Sequence, residues 1–137
     1  KVEAVKWFKL AANQGDVRAQ RMLGASYYNG DGVRQNYAEA VRWLRLAAAQ
    51  EDAYAQRMLG TSYYYGEGVR QDKAEAVKWF KLAANQGDVN SQNILGFMYL
   101  GGESVRQNIL EAKEWFGRAC DNGNQSGCDE YRKLNNK

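Results

Sequence analysis

The chain repeats itself every 36 residues, and no other feature restricts its fold as strongly. Trp7, Trp43, Trp79 and Trp115 keep that interval, as do Leu23, Leu59 and Leu95, Gly24, Gly60 and Gly96, and Tyr27, Tyr63 and Tyr99. Residues 3–17 recur unchanged as 75–89, and 24 of 36 positions are identical between 16–51 and 52–87. Units this short cannot bury an apolar face alone, so a chain built of them must stack each on the next.

Each unit reads as two helices. The first, A, runs from about Asp16 to Asn29, with the Asp16 carboxylate as an N-cap for the free N–H groups of the opening turn. Gly30 and Gly32 end it, and a loop through Val33 to Asn36 follows. The second, B, runs from about Tyr37 to Gln50, with apolar Ala40, Val41, Leu44, Ala47 and Ala48 at helical spacing. Gly15, Gly87 and Gly123 close B helices in the left-handed conformation, and Glu51 is the exception. Ala19, Gly24, Ala40 and Ala47 let the two axes approach, while Leu23, Tyr27, Trp43 and Leu44 fill the space between them. The tryptophans, at a fixed offset, are expected in the core or between repeats. The boundaries are a B half repeat at 1–15, full repeats at 16–51, 52–87 and 88–123, and an A half repeat at 124–137. A chain that opens inside a B helix, on Lys1, reads as a fragment of a longer protein.

Composition then excludes some chemistry. There is no histidine, the commonest general base and metal ligand, and no proline. A net charge of +3 is too small and dispersed to argue for nucleic acid. No apolar run approaches the ~20 residues that span a bilayer.

The pattern A-Q-x-x-L-G-x-x-Y-x-x-G-x-G-V, followed by A-x-x-W-x-x-x-A-A, resembles the Sel-one-like repeat (SLR) family, relatives of the tetratricopeptide repeats. Ala19-Gln20, Leu23-Gly24, Tyr27, Gly30, Gly32-Val33, Ala40, Trp43 and Ala47-Ala48 carry it in the first full unit. In the third, Ser91 replaces an alanine, Ser104 a glycine and Cys120 the second alanine at the end of helix B. The resemblance implies an all-α fold, a right-handed α–α superhelical solenoid of antiparallel helix pairs. It also implies an adaptor or scaffold, and bacterial members are often exported.

Cys120 and Cys128 are the only two cysteines. They stand where earlier units have Ala48 and Ala84, and Gln56 and Gln92. Adjacent antiparallel helices can bring such positions within the ~4.4–6.8 Å Cα separation of a disulfide. The pair also resembles the cysteine-rich SLR proteins, in which each unit is bridged. A bridge points to a periplasmic or secreted protein; two reduced thiols in the cytoplasm is the other reading. Zinc needs more ligands than two thiols without histidine.

On a helical wheel of about 100° per residue, one face of helix A turns away from the packing residues. It carries Arg18, Arg21, Ala25, Tyr28 and Asn29 in the first full unit, Tyr54, Arg57, Thr61, Tyr64 and Tyr65 in the second, and Asn90, Asn93 and Phe97 in the third. These positions differ between otherwise similar repeats. In tetratricopeptide-like folds this face lines the concave groove. Arginine, tyrosine and asparagine make a recognition surface, and arginines without an acid among them favour an acidic or carboxylate-bearing peptide or protein.

The expected function is therefore a protein-binding module with no cofactor and no nucleic-acid partner. A structural array stacking end to end through its half repeats is the alternative. Cysteine-rich relatives are associated with penicillin binding, which makes a β-lactam-binding enzyme a further rival. A serine enzyme of that kind needs S-x-x-K, and Ser26, Ser62, Ser91, Ser104 and Ser126 are each followed three residues later by another residue type. The reading is not an enzyme.

Overall fold

The computed structural model describes residues 1–102 and 105–136; Ser104, one of the departures from the repeat pattern, lies outside them. Eight helices and no strand occur among the described residues: α1 (Val2–Asn13), α2 (Val17–Asn29), α3 (Tyr37–Ala49), α4 (Ala53–Tyr65), α5 (Lys73–Asn85), α6 (Val89–Gly101), α7 (Ile109–Asp121) and α8 (Gln125–Asn135). Even-numbered helices are of the A type and odd-numbered of the B type. The fold is an all-α repeat solenoid, as the sequence periodicity required.

Local chemistry sets the helix ends. Asp16 Oδ1 accepts from Ala19 N at 2.8 Å, Asp52 Oδ2 from Ala55 N at 2.9 Å, and Asn124 Oδ1 from Gly127 N at 2.7 Å. The B helices begin alike, with Asn36, Asp72 and Asn108 accepting from the amide three residues on. At the B-helix C-termini, Gly15, Gly87 and Gly123 have φ of 90°, 97° and 90°. Glu51 takes the same left-handed turn, φ 68°, although it has a side chain.

Two compact units, 1–76 and 77–137, divide the chain within α5. In the first, α2 packs on α1 and α3, and α3 on α4. Val5, Ala12, Ala19, Leu23 and Trp43 form a cluster with Phe8, Ala11, Tyr27 and Val33 against it. Gly24 lies directly on Leu44: a Cβ there would stand 2.7 Å from the Leu44 side chain. In the second unit α7 packs on α6 and α8, and Gly96 meets Phe116 in the same way, at 2.5 Å. The absent side chain therefore admits a large residue of the next B helix.

The tryptophans do not share one environment. Trp43 and Trp115 are 5% exposed, as expected of packing residues, and Trp79 is half-buried. Trp7 is 69% exposed, against that expectation. Trp43 is covered by α1 and α2, whereas α1 packs on α2 alone.

In α2, α4 and α6 a buried glutamine ties the A helix to the B helix before it. Gln20 Nε2 donates to Ala12 O at 3.2 Å, Gln56 to Ala48 O at 3.2 Å and Gln92 to Ala84 O at 3.0 Å. The fourth unit has Cys128 at the glutamine position and Cys120 at the alanine position. These two are joined in a disulfide, Cα–Cα 4.5 Å. The covalent bond takes the place of the amide clamp.

Candidate functional site

The A helices of the first unit carry the densest group of the expected binding residues. Neither α2 nor α4 contains an aspartate or glutamate, while together they hold Arg18, Arg21 and Arg57. Their carboxylates are confined to the N-caps Asp16 and Asp52. Near the N-terminal ends of the two helices, Tyr54 is the centre of a cationic cluster. The Arg57 guanidinium carbon lies 5.2 Å from its ring centroid and that of Arg21 6.0 Å. Both approaches are of the cation–π kind. Arg18 is exposed, and Tyr54 and Arg57 are half-buried. Ala25 and Thr61 are half-buried in the middle of the face, and the Thr61 hydroxyl donates to Arg57 O at 3.1 Å.

At the C-terminal ends of the same helices the surface becomes aromatic. The Tyr28 hydroxyl donates to Glu67 Oε1 at 2.5 Å, and its ring lies 5.1 Å from that of Tyr37. Burial first, and then the Glu67 carboxylate, push the Tyr28 phenol well above its ordinary value, so it stays a donor. Tyr64 and Tyr65 meet edge to face at 4.9 Å, with the Lys73 ammonium 4.9 Å over Tyr64. Tyr65 is 64% exposed, and Asn29 is exposed beside its helix end.

In the second unit Asn90 is exposed, and Phe97, 48% exposed, rests edge-on against Phe116. Asn93 faces inward. Its Nδ2 donates to Oδ1 of Asn124, the N-cap of α8, at 2.7 Å.

Arg21, too, has a partner within the chain. Its Nη1 lies 3.5 Å from Oδ1 of Asp52, the N-cap of α4, and the side chain is only 30% exposed. The equivalent positions 21 and 93 thus both hold the N-cap of the following A helix. Part of the Arg21 charge is answered by the chain's own carboxylate. Sequence reasoning missed this link, although its signal was present: each pair is 31 residues apart. The basic residues of the B helices are occupied as well. Lys9, Arg45 and Lys81 lie over Tyr27, Tyr63 and Tyr99, and Lys6 and Arg42 pair with Glu3 and Glu39. Among the described residues, no group of acidic and cysteine side chains is placed to hold a metal. No described helix is long and apolar enough to cross a membrane.

With this geometry in hand, the likenesses to known proteins take on meaning. The Sel1 repeat model matches residues 1–16, 17–52, 53–88 and 89–124. No curated protein matches the chain. Among solved structures it is similar to c5321, a protective antigen of uropathogenic Escherichia coli strains with an SLR fold. They share 45% identity over 90% of this chain and 26% of that one, with a TM-score of 0.87. A Sel1 repeat protein from Oxalobacter formigenes is 34% identical over 86% of this chain and 47% of that one, TM-score 0.81. Helicobacter pylori cysteine rich protein B shares the fold at 24% identity, with a TM-score of 0.74 over 91% of this chain and 95% of that one. The chain spans about a quarter of the length of the first of these and about half of the second.

Proposed function

This chain is a member of the Sel1 repeat family, and we propose that it holds a carboxylate-bearing peptide or protein segment against the A-helix face of its first unit. Repeats of this family are in general protein-interaction modules, on a scaffold type that is not catalytic. One observation carries the finer reading: two helices with three arginines and no carboxylate of their own, two of the arginines set against Tyr54. Arginine gives forked, charge-assisted hydrogen bonds to a carboxylate, and tyrosine gives broad contact at low entropic cost. Arg18 is the residue placed to make the first of these bonds, because it is exposed while Arg21 already faces Asp52. The aromatic end, with Tyr28, Tyr64 and Tyr65, supplies contact area further along the same helices. The disulfide supports an oxidising compartment, periplasmic or extracellular, as the place of action.

Synthetic peptide arrays graded in Asp and Glu content test this. Binding should rise with acidic content and weaken with salt. For the tightest peptide, Arg18→Ala should cost about 1.5 kcal/mol, roughly tenfold in Kd. Lys6→Ala, on an exposed B-helix surface, should leave it unchanged. If Lys6 matters and Arg18 does not, the partner sits on the B helices and the assignment of the face is wrong.

A further inference from the structure

One carboxylate of the first unit lacks the cation that its counterpart has. Asp31 follows α2 and Glu67 follows α4, at equivalent positions 36 residues apart. The Lys1 ammonium lies 2.8 Å from Asp31 Oδ1. Lys1, Tyr37 and Lys73 are the equivalent residues of successive repeats, and the backbone keeps that equivalence. A Cβ on Gly32 would strike the carbonyl oxygen of Lys1, and one on Gly68 that of Tyr37. The chain thus places a phenol where Glu67 would otherwise meet an ammonium. Tyr28 shows the same replacement from the other side. Its equivalent, Tyr64, has the Lys73 ammonium 4.9 Å over its ring. At Tyr28 the ring of Tyr37 stands in the lysine's place, with 5.1 Å between centroids. Glu67 is half-buried and accepts from the Tyr28 hydroxyl. Among the described residues no lysine or arginine pairs with it. A carboxylate offers about four lone-pair sites, and one phenol occupies one of them. Aromatic faces and an unneutralised carboxylate are the two kinds of group that attract a cation.

We propose that Glu67, Tyr28 and Tyr37 form a site for a lysine or arginine side chain of the segment held on the A-helix face. The site itself rests on the contacts just given; that its cation belongs to this segment rests on the peptide-binding face proposed for the same unit. The face then has two unlike ends. Arg18, near the N-terminus of α2, takes a carboxylate, and Glu67 with its tyrosines, at the C-terminus, takes a cation. Ten residues of helix separate Arg18 from Tyr28, about 15 Å at a rise of ~1.5 Å per residue. An extended segment rises ~3.3 Å per residue, so its acidic and basic side chains stand about four or five residues apart. A segment of mixed sign in that register binds more tightly than a purely acidic one.

Two measurements separate the cation site from the carboxylate face. In the first, Nα-acetyl-lysine methylamide, which has an ammonium and no carboxylate, is titrated against the full chain. The ring NMR signals of Tyr28 should shift with it and stay in place with the norleucine analogue. They should also stay in place in Glu67→Gln, where the Tyr28 hydroxyl keeps an acceptor, and in Tyr37→Lys, which supplies the chain's own ammonium as Lys1 does for Asp31. No shift in the parent chain, equal shifts with both compounds, or shifts that survive in either variant overturn the site, whatever Arg18 does. The second measurement uses acidic peptides with lysine or acetyl-lysine placed four or five residues from the carboxylates, on either side of them. On one side the lysine form should bind about fivefold more tightly than the acetyl-lysine form. In Glu67→Gln the two forms should bind alike. A lysine effect of the same size at every spacing, or none at any, overturns the assignment of the cation to the bound segment. Failure of the carboxylate face shows separately, as binding of the purely acidic peptide that Arg18→Ala does not weaken.

Discussion

Replacing the disulfide by the clamp it stands for tests whether the fourth unit follows the logic of the other three. In the first three units a buried glutamine on the A helix donates to the carbonyl of an alanine eight residues earlier. Cys128 and Cys120 have the same separation and occupy the same two positions. The double variant Cys120→Ala/Cys128→Gln should therefore rebuild the amide clamp, whereas Cys120→Ala/Cys128→Ala removes both devices. Closing a loop of this length stabilises by about 2.5 kcal/mol in the chain-entropy model. A net buried hydrogen bond contributes about 0.5–1.5 kcal/mol. The alanine pair should then lose about 2.5 kcal/mol relative to the oxidised chain, and the glutamine variant should recover roughly 1 kcal/mol of it. Because α8 packs on α7 alone in its unit, the loss should concentrate there rather than spread along the array. Hydrogen exchange of the α8 amides, read beside the denaturation of the whole chain, separates the two. Equal protection of α8 in both variants would refute the equivalence of clamp and disulfide, and so would a loss spread evenly over all helices.

Three further outcomes follow from contacts already described. Gly24→Ala should destabilise by about 1–3 kcal/mol through overpacking against Leu44, while Ala25→Leu, one residue on and half-buried on the A-helix face, should change the melting temperature little. Glu51→Gly should raise stability by about 1 kcal/mol, because glycine takes the left-handed turn without a Cβ penalty; chemical denaturation reads it directly. In an absorbance titration Tyr28→Phe should remove a phenol that deprotonates well above the ordinary range. Its folded value is raised, so its contribution is fully present below the ordinary phenol range and is lost as pH rises above about 10.

Helix ends were legible in the sequence because they are decided within a turn of chain. Asp16, Asn36 and Asn108 each cap the amide three residues ahead, and the glycines at 15, 87 and 123 need only their own backbone freedom. The packing residues were legible because a period of 36 repeats the same test several times. Trp7 was not. It has the same local sequence as Trp79, and its exposure depends on which helix lies beside α1, a property that no window of residues contains. The role of the cysteines was half legible: their positions matched alanine and glutamine, but the glutamine clamp that explains the match is a contact between helices.

The binding face was the least legible part, for a reason that the two units make concrete. Positions that differ between near-identical repeats look as though a partner had shaped them. At position 21 the difference has another source. Arg21 meets Asp52, and Asn93 meets Asn124: where the N-cap is a carboxylate its partner is a cation, and where it is an amide its partner is an amide. The two sites change together because each must satisfy the other. Variation there is complementation inside the chain, and it carries no information about a ligand. The equivalent positions 18, 54 and 90 carry no such N-cap partner among the described residues. They read arginine, tyrosine and asparagine, two of them exposed and the third set between two guanidiniums. In the proposed reading the partner therefore meets Arg18 and Tyr54 first, one turn nearer the helix N-termini than Arg21 and Arg57.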